Sequence, residues 1–188
     1  MKNNYLIALF FSVLLLLALP ALATEQPLTE KVRAILPEGW TVTEKADGIT
    51  LYERAAQSLE IQDYTKLPGF ILTVIDTQNT VAKDAQHPKD YHPYFEIFLY
   101  QLSLNEEQII KYNRLANAQY NRPAGTQDAY PPRFSFQKGD YIVMKSPTWG
   151  KSASPKIDSL MLKIMSLVRK EIPEAQSEDT EAADTATE

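Results

Sequence analysis

Phe70-Ile71-Leu72-Thr73-Val74-Ile75 is the stretch that decides the fold. It is β-branched and apolar at both alternating positions, as expected of a central strand buried on its two faces. Pro68-Gly69 ahead of it is a turn. Beyond a polar stretch over 77–93 with two prolines, which reads as a long loop, Tyr94 to Leu102 resumes as a strand. There Phe95, Ile97 and Leu99 face one way and Phe98, Tyr100 and Leu102 the other.

Working outward toward the N-terminus, Trp40 to Thr43 and Ile49 to Glu53 alternate in strand fashion. Asp47-Gly48 between them supplies the positive φ of a tight hairpin, so the two are expected to pair with each other. Thr29 to Leu36 has a capping threonine and Val32, Ile35 and Leu36 on one face, the pattern of a short helix. Leu59 to Tyr64 is expected to be one more strand.

Toward the C-terminus, Ser103-Leu104-Asn105-Glu106 fits a capping box and opens a helix to about Asn121. A Pro/Gly loop over 122–133 follows. Phe134-Ser135-Phe136 and Tyr141-Ile142-Val143-Met144 flank Lys138-Gly139-Asp140 as a second hairpin. Ser154-Pro155 starts a helix to about Ile172, whose arc of Ile157, Leu160, Met161, Ile164, Leu167 and Val168 should be the main cover of the sheet. The expectation is a single α+β domain over 24–172. Its sheet is mainly antiparallel and built from hairpins, covered on one face by two longer helices plus a short N-terminal helix.

The two ends are unlike this body. Residues 1–23 carry Lys2, an apolar run from Leu6 to Leu19, Pro20, and Ala21-Leu22-Ala23 at a cleavage site, the layout of a secretory signal peptide. The mature chain is then exported, to the periplasm or outside the cell, starting at Thr24. No later segment approaches a membrane span, so it is expected not to cross a membrane. Residues 173–188 hold six acidic residues, no basic one and no large apolar side chain, and read as a disordered, solubilising acidic tail. The formal charge of −5 is therefore unevenly spread: without signal and tail, 24–172 carries 18 basic and 18 acidic residues. No basic field points to nucleic acid. The absence of cysteine removes disulfides, thiolate chemistry and thiolate metal sites.

Candidate chemistry concentrates in Asp84 to Glu96, which contains both histidines. His87 and His92 with Asp84 and Asp90 form a candidate site for a divalent metal, without the helical His-Glu-x-x-His spacing. No other cofactor is indicated. Seven of the ten tyrosines lie between 91 and 141. Tyr91, Tyr94 and Tyr130, with Arg122 and Arg133, could border a ligand or partner surface, since tyrosine joins an apolar ring to a polar tip. Trp149-Gly150-Lys151-Ser152 ends like a phosphate loop but has Lys145 where the first glycine belongs. Ser135-Phe136-Gln137-Lys138 matches Ser-x-x-Lys but runs into a turn rather than a helix. The leading expectation is a non-catalytic binding or accessory module of the cell envelope, meeting a protein, peptide or small ligand through Tyr-rich loops. The alternatives are a small metal-dependent enzyme or metal-binding protein using His87 and His92, and an envelope structural or assembly factor.

Overall fold

The computed structural model describes residues 27–46, 48–120 and 133–174. The expected signal peptide, residues 175–188 of the tail, Arg122 and Tyr130 lie outside the described residues. In chain order the elements are α1 (Leu28–Arg33), β1 (Trp40–Ala46), α2 (Glu53–Leu59), β2 (Gly69–Asp76), β3 (Tyr94–Gln101), α3 (Glu106–Tyr120), β4 (Arg133–Lys138), β5 (Tyr141–Lys145) and α4 (Ile157–Glu171). The strands make one antiparallel sheet in the order β1-β2-β3-β5-β4. The α+β class and the antiparallel sheet are as expected, and Phe70–Ile75 lies inside the sheet between β1 and β3.

The placement of the helices is a correction. Phe95, Ile97 and Leu99 of β3 pack with Leu72, Val74 and Val143 against Val32 of α1 and Ile157, Ile164 and Val168 of α4. Tyr100 of β3 packs with Ile142 and Met144 against Ala55, Ala56 and Leu59 of α2 and Tyr112 and Ala116 of α3. The two longer helices thus lie on opposite faces of the sheet rather than on one. Physically, a strand apolar at both parities leaves its second set of side chains in water unless another layer covers them, at about 25 cal/mol per Å² exposed.

The first expected hairpin does not form. β1 pairs with β2 instead, Val42 opposite Val74, and Ile49 makes only an isolated bridge to Leu67. Glu53 onward is helical, and Leu59–Tyr64 is not a strand: Leu59 closes α2, and Glu60 caps it at φ 58°. Ile49, Leu51, Ala55, Ala56 and Leu59 are all buried beneath the second face, so tertiary burial overrides the strand-like alternation of 49–53. Gly69 fixes the start of β2, since a Cβ there would lie 2.1 Å from the Leu99 carbonyl oxygen.

Helix starts also shift. The capping box is real but sits two residues later than Ser103: Asn105 Oδ1 accepts from the Gln108 amide at 2.9 Å, and Gln108 Oε1 from the Asn105 amide at 3.0 Å. Thr29 does not cap α1; its hydroxyl donates to Glu44 on β1. The β4–β5 hairpin forms as expected, with an irregularity between Phe134 and Phe136. Tyr112 reaches that bulge from α3: its hydroxyl donates to the Val143 carbonyl at 2.5 Å and accepts from the Ser135 amide at 3.2 Å. Among the described residues, no helix is long and apolar enough to cross a membrane.

Candidate functional site

The long connection from β2 to β3 is a folded structure rather than a free loop. Asp76, which ends β2 and is 2% exposed, organises its first turn. Burial pushes the Asp76 pKa up, but hydrogen bonds from the Asn79 and Ser154 side chains and the Gln78 and Asn79 amides outweigh it and hold the carboxyl below its usual range. Further along, Val81 and Tyr91 exchange both amide–carbonyl bonds, at 2.7 and 3.0 Å, closing the segment between them into a compact excursion.

Asp84 is the hub of that excursion. Its Oδ1 accepts from the Gln86 and His87 amides, each at 2.8 Å, and lies 3.1 Å from His87 Nδ1. Its Oδ2 accepts from the Tyr91 hydroxyl at 3.1 Å. Desolvation opposes ionisation of Asp84, but these donors prevail and keep its pKa lowered. On the other side of the ring, His87 Nε2 lies 3.2 Å from the Tyr94 hydroxyl, within hydrogen-bond reach. Asp84, His87 and Tyr94 are thus one hydrogen-bonded chain running from the loop to the first residue of β3.

Aromatic packing surrounds the same histidine. The His87 ring stacks on Tyr91 with centroids 3.9 Å apart, and meets Trp149 edge-on at 4.9 Å and Tyr94 at 5.9 Å. Trp149 arrives from the segment between β5 and α4, where it and Tyr94 exchange backbone bonds at 2.9 and 3.2 Å. Gly150 permits this approach: at φ 72°, it would put a Cβ 2.8 Å from a Val81 methyl. Two separate segments of chain therefore deliver four rings to one end of the sheet, each ring partly exposed.

Of the expected site residues, Asp84, His87, Tyr91 and Tyr94 are brought together. His92 is not: its Nδ1 lies 2.6 Å from the Asn79 carbonyl oxygen. Asp90 instead accepts from the Lys83 amide at 3.0 Å. Among the described residues, no group of three or more His, Asp and Glu is placed to hold a metal. Arg133 begins β4 and borders a groove with Lys145 and Thr148, apart from the ring cluster. Trp149 was not legible as a site residue, because nothing local in its sequence ties it to Tyr94, 55 positions away.

Beside the cluster, Glu96 follows two residues after Tyr94 on the same strand face. Burial raises its pKa, against the opposing hydrogen bond of Thr73 and the charge of Lys45. Burial likewise raises Tyr94, with the nearby Glu96, Tyr91 and Asp84 adding to it, so the Tyr94 hydroxyl keeps its proton at neutral pH. The cluster can therefore stack against flat or apolar groups and offer hydroxyl and carboxylate hydrogen bonds, while the His87 ring is saturated on both nitrogens. No family model matches the chain, and no curated protein or solved structure matches it.

Proposed function

We propose that the protein is a non-catalytic binding or accessory module, exported through its N-terminal segment, whose contact surface is the cluster of His87, Tyr91, Tyr94 and Trp149. One observation carries the reading: four partly exposed rings from two chain segments are fixed at one end of the sheet by the Asp84 hub and the Tyr94–Trp149 backbone pairing. Rigid aromatic side chains with polar tips give large contact area at low cost in side-chain entropy, which suits a recognition surface. A metal-dependent role fits the geometry less well, since His92 and Asp90 bond elsewhere.

The test is capture from the cell envelope of the source organism by the immobilised mature chain, compared with Tyr91→Ala and Trp149→Ala variants whose melting curves confirm folding. A component retained by the wild type and lost at least about tenfold in both variants supports the reading. Retention equal across all three proteins would refute it, as would stoichiometric metal in the purified protein lost on Asp84→Ala.

A further inference from the structure

Three depressions that share lining residues form one groove along β4, between α3 and α4, whose Arg133 end is lined by Thr148 beside Trp149. Its charge is one-sided. Arg133, Lys145 and Lys151 line one end, Arg169 the middle, and Lys138 and Lys170 the other end. The acids are Asp158, which pairs with Lys151, and Glu174. The wall also presents Leu162, one of two large apolar side chains strongly exposed among the described residues, at 56%. A body with equal numbers of acidic and basic residues over 24–172 has thus gathered cations beside an apolar surface.

The chain leaves the described structure at this groove. Glu174 pairs with Lys138 at 3.1 Å, at the C-terminal end of β4, and Lys138 also donates to the Arg169 carbonyl at 3.0 Å. Beyond it lie Glu178, Asp179, Glu181, Asp184 and Glu188, with no basic residue. Residues 175–188, extended at about 3.3 Å per residue, reach roughly 45 Å, against about 20 Å for the length of β4. A chain starting beside Lys138 and following the groove runs toward Arg133, antiparallel to β4.

We propose that residues 175–188 dock in this groove of their own chain, setting the tail carboxylates against Arg169, Lys145 and Arg133. The charge complementarity and the exit point at Lys138 select this occupant over a second copy or a separate acidic peptide. An acidic partner reaching the groove would first have to displace the tail, which makes the tail a competitor built into the chain.

The experiment is zero-length carbodiimide cross-linking of the full chain at low ionic strength, followed by separate peptide mapping of the monomer and dimer bands. This reagent joins a carboxylate to an amine only in direct contact. The expected result is linkage of the 178–184 acids to Lys145 and Lys138. Lys45 on β1, at the opposite edge of the sheet, should react far less, although a freely moving tail has the length to reach it. The Lys145 links should fall several-fold at high salt, where screening shortens to a few ångströms, and also in Arg169→Glu and in Lys151→Glu, each checked for an unchanged melting curve. Equal yields at Lys145 and Lys45 overturn the proposal. So do links found only in cross-linked dimers, which would assign the groove to a second copy, and yields indifferent to salt and to both variants.

Discussion

Tyr112→Phe should destabilise the fold by about 2 kcal/mol, because the hydroxyl and not the ring does the closing work at the β4 bulge. The ring is fully buried, edge-on to Phe134 at 5.0 Å, and phenylalanine keeps that contact. What is lost is one oxygen serving two backbone groups, the Val143 carbonyl at 2.5 Å and the Ser135 amide at 3.2 Å. Val143 is buried at 0% exposure, so its carbonyl finds no water, and an unsatisfied buried backbone group costs about 1–3 kcal/mol. Ser135 is half-buried, and water replaces part of its loss. With a urea dependence of about 2 kcal/mol per molar, the midpoint should fall by about 1 M at unchanged slope. Tyr100→Phe is the control: that ring is also buried, but its hydroxyl makes a single, longer bond of 3.3 Å to the Thr50 carbonyl, which predicts about 0.5–1 kcal/mol. A Tyr112→Phe loss no larger than that of Tyr100→Phe would refute the reasoning, since the bulge would then not depend on the hydroxyl.

The same two tyrosines predict alkaline sensitivity. Burial raises both above the unfolded value near 10, so the stability they lend is intact below about pH 10 and is lost as pH climbs toward their folded values, at up to about 1.4 kcal/mol per pH unit each. Urea midpoints measured from pH 9 to 11.5 should show this slope, and the double Phe variant should flatten it; an unchanged slope in that variant rejects the assignment. Gly69→Ala should cost about 3 kcal/mol, because its Cβ would sit 2.1 Å from backbone that cannot move without breaking the β2–β3 register; a variant melting within 2 °C of wild type would contradict the close approach. Asp84→Ala should speed amide hydrogen exchange at Gln86 and His87 while leaving β2 and β3 unchanged; equal protection in the variant would show that the hub does not hold the loop.

Which parts of the molecule were legible in the sequence follows from where the decisive interactions lie. β2, β3 and the β4–β5 hairpin were readable because their burial and turns repeat locally, as in Lys138-Gly139-Asp140 between Phe136 and Tyr141. Residues 49–64 were not, because α2 is held by contacts distant in sequence: Gln108 Nε2 donates to the Leu59 carbonyl at 2.7 Å, and Lys111 pairs with Glu60. A seven-residue helix has little stability of its own, so its sequence need not advertise it. The apolar doubling of Phe98 and Tyr100 against Ile97 and Leu99 is the sequence mark of the second covering layer, which α2 and α3 supply.

The candidate site divides along the same line. Asp84, His87, Tyr91 and Tyr94 fall within one short stretch, so their chemistry is visible in the sequence. Their arrangement is not visible there: Asp84, a metal-ligand candidate by residue type, anchors His87, and that histidine is the centre about which the rings assemble. Trp149 completes the assembly through backbone pairing with Tyr94 and the room left at Gly150, neither of which leaves a mark in local composition. His87, bonded at both nitrogens and packed on three rings, holds those rings in place, and the binding role proposed above would act through the outer surfaces of Tyr91, Tyr94 and Trp149.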